Sequence, residues 1–165
     1  MPFKLPHLAI CLFIAASGGA LAQGAQASFG NPGKDSDAPI EVTSETLNVN
    51  RADNTALFTG DVVIAQGAMR LSAPRVLVVY LEDASGIERL RASGGVTLVS
   101  GEDAAEAEHA DYNVESGIIE MQGGVLLLQG SNAVSGDRMT VNTRSGTAQM
   151  SGRVKTVIRK EADKP

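Results

Sequence analysis

Four glycine-led apolar segments recur along this chain at a nearly constant spacing. They are Gly60-Asp61-Val62-Val63-Ile64, Gly94-Gly95-Val96-Thr97-Leu98, Gly123-Gly124-Val125-Leu126-Leu127 and Gly152-Arg153-Val154-Lys155-Thr156. The leading glycines stand 34, 29 and 29 residues apart. A period of this size indicates one supersecondary unit used repeatedly. Because such a unit is too small to bury its own apolar face, we expect the units to stack and share one core.

Each unit contains residues that alternate between apolar and polar with a period of two, which is typical of β-strands. A strand leads into the glycine, a second strand follows it, and a third ends in an apolar pair: Leu47/Val49, Val76/Val78, Tyr112/Val114 and Met139/Val141. The pairs Val62/Ile64, Val96/Leu98, Val125/Leu127 and Val154/Thr156 share one face, whereas Asp61, Thr97, Glu120, Gln149 and Lys155 lie on the other. This pattern predicts an antiparallel sheet with one solvated face.

Turn-forming residues separate these strands, for example at Gln66-Gly67 and Ser145-Gly146. Many short, evenly spaced strands favour a sandwich, a barrel or a β-solenoid. Pro74 is expected at an edge or at the start of its strand, since proline cannot donate a ladder hydrogen bond. The acidic, alanine-rich residues 102–110 show no convincing helical stripe, and we interpret them as a loop.

The N-terminal residues have the features of an export signal. Lys4 supplies a positive charge, residues 8–16 form a short apolar run, and Ala20-Leu21-Ala22 predicts cleavage before Gln23. The run is too short to span a bilayer, although an uncleaved anchor is the alternative. We therefore predict a signal peptide at residues 1–22, a disordered leader at 23–38, one domain at 39–160 and a charged tail at 161–165. Cys11, the single cysteine, lies in the signal, so the exported chain would have no disulfide.

Composition and motifs argue against several classes of function. The net charge of −5 opposes nucleic-acid binding, and aromatic residues make up only 4% of the chain, so stacking platforms for bases or sugars are scarce. His109 with its neighbouring carboxylates is a weak set for a metal, and it is far from any nucleophile motif. Glu102 and Asp103 could serve glycoside hydrolysis in principle. We predict no enzyme activity, no catalytic residue, no metal and no cofactor.

The apolar face itself remains as the functional candidate. If its side chains only fill a core, the protein is a structural or adhesive module. If the stacked sheets splay open, the same side chains line a groove for acyl chains. Patterning alone favours the filled core, because most apolar stripes are core.

The first copy of the repeat and its flanks resemble a known family. The segments Pro39-Ile40-Glu41-Val42-Thr43-Ser44 and Phe58-Thr59-Gly60-Asp61-Val62, with Gln66-Gly67 a few residues later, are similar to the LptA/OstA-like lipopolysaccharide-transport proteins. The resemblance continues through Leu71-Ser72-Ala73-Pro74-Arg75-Val76 and Ser135-Gly136-Asp137-Arg138-Met139 and covers about residues 39–158. Pro74 departs from the acidic residue expected after Ala73.

The resemblance implies an all-β, twisted antiparallel β-jellyroll, open at both ends, in the periplasm. It implies a bridge that carries lipopolysaccharide between an LptC-like inner-membrane component and an LptD-like outer-membrane component, with head-to-tail self-association through the end strands. Lipid A acyl chains would slide along the apolar face. The candidate contacts are Val62, Ile64, Val76, Val78, Val96, Leu98, Val114, Met121, Val125, Leu127 and Met139.

Overall fold

The computed structural model describes residues 25–30 and 36–159. The predicted signal peptide and the charged tail at 161–165 lie outside these residues. Eleven strands are described: β1 (Ala25–Ser28), β2 (Ile40–Thr43), β3 (Thr46–Asn50), β4 (Thr55–Gln66), β5 (Met69–Tyr80), β6 (Ile87–Ser100), β7 (Asp103–Asn113), β8 (Ile118–Gln129), β9 (Asn132–Asn142), β10 (Thr147–Ser151) and β11 (Lys155–Val157). In this part of the chain no helix is long and apolar enough to cross a membrane.

All eleven strands belong to one antiparallel sheet. Strands β4 to β10 pair in chain order, each with the next, as expected for a meander joined by short turns. At one end of the sheet, β3 and β2 lie along the two halves of β4. At the other end, β10 and β11 lie along the two halves of β9 in the same way. The two ends are therefore built alike, except that β1 adds one more strand beside β10.

A line of β-bulges crosses the sheet through the middle of its long strands. The glycine that leads each repeated segment does not begin a strand there but interrupts one: β4 runs through Gly60, β6 through Gly94 and Gly95, and β8 through Gly123 and Gly124. The predicted pairs of short strands on either side of these three glycine sites are thus single kinked strands. The glycines have φ of +61° to +96°, which other residues adopt at a cost. We call this feature the bulge line.

One residue of a neighbouring strand or turn packs against each of the four leading glycines, three of which lie in the bulge line while Gly152 directly follows β10. A Cβ added at Gly60, Gly123 or Gly152 would lie 2.7–2.8 Å from the Cβ of an acidic residue, and one added at Gly94 would lie 3.2 Å from a proline ring carbon. These four facing residues are Glu45, Glu108, Asp137 and Pro74. Pro74 therefore occupies the place of an acidic residue in the structural repeat, which is where the sequence departs from the family pattern.

The bulge line bends the sheet so that its two halves face each other. Side chains from both sides of the line belong to one core cluster. The clearest contact between the halves is a buried hydrogen bond of 2.8 Å in which the Tyr112 hydroxyl donates to Gln66 Oε1. Tyr112 and Gln66 lie three strands apart and on opposite sides of the bulge line, so the sheet must curl back on itself to join them. The result is an all-β jellyroll.

Several sequence expectations need correction. Pro74 lies in the middle of β5, a central strand, where the bulge opposite Gly94 removes the need for its missing N–H. The predicted loop at 102–110 is mostly β7, because pairing with β6 and β8 overrides its alanine-rich composition. The fourth glycine-led segment is exposed at Val154 and at Thr156, since no further strand among the described residues covers it. Residues Ala25–Ser28, expected to be disordered, form β1.

Candidate functional site on the inner face

The inner face of the folded sheet gathers the side chains that the sequence nominates for lipid contact. Ten of the eleven are at most 2% exposed: Val62, Ile64, Val76, Val78, Val96, Leu98, Met121, Val125, Leu127 and Met139. The eleventh, Val114, follows β7 and is partly buried against the same cluster. The structure therefore brings all eleven candidates together on one face. In this conformation that face is closed to solvent.

Other residues complete the inner face and were not nominated from the sequence. The large ones are Met69, Leu71, Leu90, Tyr112, Ile119, Val141 and Met150, and all are buried. Most continue the period-two alternation of their strands, so following that alternation along every strand would have found them. A second set is small: Ala73, Ala92, Ala107 and Ala110 lie beside the bulges. Small side chains there allow the two halves of the sheet to approach each other at the bend.

A polar pair lies within the apolar interior, between the two halves. Gln66 accepts the hydrogen bond from Tyr112, and its Nε2 donates to the carbonyl oxygens of Ser36 (3.1 Å) and Ala38 (3.2 Å). Burial of the Tyr112 ring raises the pKa of its hydroxyl, against the opposing effect of hydrogen bonds to Thr143 and Gln66. The hydroxyl therefore stays neutral and serves as a donor. We call the side of the molecule opposite the bulge line, where Tyr112 of one half meets Gln66 of the other, the mouth.

The inner face reaches both ends of the sheet, and its last side chains are exposed there. At one end β3 presents Leu47 (52% exposed) and Val49 (62%), which face the same side as the buried Ala56 of β4. At the other end Val154 and Ile158 (75% exposed) flank β11. Most of the exposed large apolar side chains in the described residues lie at these two ends. Such a concentration is a mark of an interaction surface rather than of scattered surface residues.

The outer face carries many polar and charged side chains, with apolar ones such as Leu77 and Leu128 among them. Arg75, Ser93, His109 and Gln122 occupy successive paired positions across four strands and line an open groove of about 420 Å³. Arg89 and Arg91 both contact Asp111, at 3.1 and 3.5 Å. No group of three potential metal ligands is found in the part of the chain that the structure describes.

The two carboxylates considered for hydrolysis, Glu102 and Asp103, have different surroundings. Glu102 belongs to the turn between β6 and β7, and Asp103 is the first residue of β7, where its carboxylate accepts a hydrogen bond of 2.9 Å from the backbone N–H of Gly30. Glu102 is exposed. Asp103 thus has a structural partner in the N-terminal segment.

Comparison with known proteins gives a consistent result. The chain matches the family described as LptA/(LptD N-terminal domain) LPS transport protein over residues 41–147. It is 28% identical over 110 residues to an uncharacterised protein of Rhizobium meliloti (strain 1021), a match that covers 62% of this chain and 59% of the relative. It is 32% identical over 78 residues to the lipopolysaccharide export system protein LptA of Escherichia coli (strain K12), covering 47% of this chain and 40% of that protein.

A solved structure agrees with the fold. The crystal structure of LptH, described as the LptA-homologous periplasmic component of the lipopolysaccharide transport device of Pseudomonas aeruginosa, superposes with a TM-score of 0.69. The superposition covers 77% of this chain and 99% of LptH at 18% identity. The chain spans 40–59% of the length of the curated relatives given above.

The family predicted from the first repeat is thus confirmed over most of the described domain, and it is a family of transport proteins rather than enzymes. The chain belongs to the LptA/LptD N-terminal domain family of lipopolysaccharide transport proteins.

Proposed function

We propose that this chain is a periplasmic bridge that binds lipopolysaccharide and carries it from the inner-membrane export complex to the outer-membrane assembly complex. The acyl chains of lipid A would lie against the inner face, and the sugars would stay in water. The LptC-like and LptD-like components would receive the two ends of the bridge, and copies would associate head to tail. The periplasmic location is supported by the predicted signal peptide and by the description of LptH as periplasmic.

The observation that carries this proposal is the continuity of the inner face. Its apolar side chains run across every long strand and are exposed at both ends, at Leu47 and Val49 on one side and at Ile158 on the other. A core that served stability alone would be covered at its ends. An apolar surface that continues to an unpaired edge suits cargo that moves from one molecule to the next.

Burial energies are adequate for such a path. Each methylene removed from water contributes about 0.8 kcal/mol, so ten methylenes of acyl chain contribute about 8 kcal/mol. When the halves part, the acyl chains replace the opposite half as the packing partner of each inner side chain. The inner side chains therefore stay largely shielded from water in the open form, and many nearly equivalent positions allow the cargo to leave as well as to enter.

The closed inner face favours a second candidate, a structural or adhesive module without a lipid ligand. Ten nominated side chains are almost fully buried without any ligand, as a filled core requires. The two candidates differ in what they predict for purified protein. A bridge binds hexa-acylated lipid A and loses most of that affinity for the fully deacylated sugar backbone, whereas a filled module binds neither.

Depletion of the protein from its own cells tests the proposed role directly. The bridge predicts that newly made lipopolysaccharide accumulates at the inner membrane and that its amount at the cell surface falls. Normal delivery to the surface after complete depletion would refute the proposal and would favour the structural module.

A further inference from the structure

Strand β1 comes from a segment outside the repeat and covers an edge that the repeat would leave free. Ala25–Ser28 pair antiparallel with β10, with Ala25 opposite Met150 and Ser28 opposite Thr147. Phe29 follows and is only 4% exposed, as part of the core cluster. We call residues 25–30 the strap.

The strap also joins turns at the ends of both halves of the sheet. Phe29 N–H donates to the carbonyl oxygen of Gly146 (2.8 Å), which lies in the turn before β10. Gly30 N–H donates to Asp103 at the start of β7, and the Ser28 carbonyl accepts from Gln129 (2.5 Å) at the end of β8. Gly146 is on one side of the bulge line, and Asp103 and Gln129 are on the other. The strap therefore lies across the mouth as well as along β10.

The edge beneath the strap matches the free edge at the opposite end of the same molecule. Strands β3 and β10 have five residues each, and each flanks one half of a long strand, β4 or β9. Because strand directions alternate from β3 through β10, β3 of a second copy would run antiparallel to β10. Strand β1 also runs antiparallel to β10 and occupies the edge at which β3 of the second copy would dock. On the other half of the sheet, β11 would pair with β2 of the second copy.

We infer that the strap holds, within one molecule, the place of β3 from a second copy, and that its release from β10 both exposes the docking edge and frees the mouth. The inference rests on the proposed function, of which it describes the regulation. The occupant is a second copy of this chain because its β3 presents Leu47 and Val49 toward Met150 and Ala148, where the strap presents only Ala25 and Ala27. The incoming strand thus buries larger apolar side chains than the strand that it displaces.

A reversible lock on the strap tests this inference. Gln26 and Gln149 are opposite each other on β1 and β10, and both are exposed. Paired residues of antiparallel strands have Cα atoms about 4.5–5.5 Å apart, which suits a disulfide. We would introduce Gln26→Cys and Gln149→Cys together in a chain starting at Gln23, which contains no other cysteine. The matched control is Glu120→Cys with Thr140→Cys, an opposed pair on β8 and β9 that does not involve the strap.

Self-association measured by analytical ultracentrifugation gives the readout. We expect oxidation of the Gln26/Gln149 pair to weaken self-association at least tenfold relative to the same protein reduced, and oxidation of the control pair to leave it unchanged. We also expect Phe29→Ser, which removes the anchor of the strap, to tighten self-association. Equal association of the locked and reduced forms would overturn the inference. A Phe29→Ser protein that retains its β-sheet circular dichroism and stays monomeric would overturn the second copy as the occupant.

Failure of this inference is separable from failure of the proposed function. Lipid A binding is measured in parallel on the locked and reduced proteins. Association that depends on the strap, without lipid A binding in either form, upholds the inference and removes the proposed function. If the protein binds lipid A but the locked and reduced forms associate equally, the proposed function stands and the inference about the strap fails.

Discussion

The two sides of the folded sheet, the bulge line and the mouth, are held together by different means. At the bulge line the backbones of β4 to β9 pass continuously from one half to the other. At the mouth the halves meet through packed side chains, through the Tyr112–Gln66 hydrogen bond and through the strap. The difference shows where the molecule can open: the bulge line is a fixed edge, and the mouth can part without breaking the ladder between neighbouring long strands.

The largest predicted effect on the free energy of unfolding comes from a substitution in the bulge line. Gly123→Ala adds a Cβ that would lie 2.7 Å from the Cβ of Glu108, at a φ of +89°. Strain and overpacking together are expected to lower the free energy of unfolding by about 3 kcal/mol. Gly124→Ala is the matched control, because its φ is also positive but nothing lies within 4 Å of the added atom, so a decrease of about 1 kcal/mol is expected. Equal decreases in urea unfolding would show that packing does not fix the bulge line.

The next largest effect on the free energy of unfolding comes from removing the hydrogen bond at the mouth. Tyr112→Phe leaves the buried Gln66 Oε1 without its donor, and we expect a decrease of about 2 kcal/mol in the free energy of unfolding. Because the deleted hydrogen bond joins the two halves, amide hydrogen exchange should also quicken at the turns around the mouth. Tyr80→Phe, at a half-buried tyrosine on β5, should change neither quantity appreciably. Unchanged exchange in Tyr112→Phe would mean that this bond does not hold the mouth.

Alkaline pH provides a milder test of the same bond. The folded-state pKa of Tyr112 is raised by burial, so the unfolded chain loses its phenolic proton first. This contribution to stability is complete below the ordinary tyrosine pKa of about 10 and is lost as the pH rises through the folded-state value. Tyr112→Phe should therefore flatten the decline of the unfolding midpoint above that pH. An unchanged decline would place the responsible group elsewhere.

The smallest effect concerns an exposed ion pair where β10 meets the bulge line. Hydrogen bonds from Arg153 lower the pKa of Asp137, so their contribution to stability is present above the ordinary aspartate pKa and is lost as the pH falls through the folded-state value. Because both groups are exposed, Arg153→Met should barely change the unfolding midpoint at neutral pH and should only reduce its dependence on acid. A large change in the unfolding midpoint at neutral pH would show that this exposed pair contributes more to stability than we expect.

Local pattern predicted the inner face well because alternation is a local property. The nominated residues Leu98 and Leu127 are buried as expected. It left open whether Gly94-Gly95 forms a bulge within one strand or the entry to a new strand, because a bulge is defined by the partner strand, where Pro74 stands opposite. It also missed the first part of β7, where the inward residues Ala105 and Ala107 are too small to mark a strand, although it predicted a strand at Tyr112. The strap does alternate, with Ala25, Ala27 and Phe29 on one side and Gln26 and Ser28 on the other, but its apolar residues are mostly small and its place depends on the distant β10.

Site-specific photo-crosslinking tests the central claim, that the inner face carries acyl chains, most directly. A photoreactive residue would replace Leu127, which is 1% exposed on the inner face, or Leu128, its neighbour on the outer face, which is 40% exposed. Leu98 and Thr97 form a second such pair. In cells that make lipopolysaccharide, we predict adducts from Leu127 and Leu98 and none above background from Leu128 or Thr97. Absence of adducts from both inner positions, or equal adducts from the outer ones, would contradict the account.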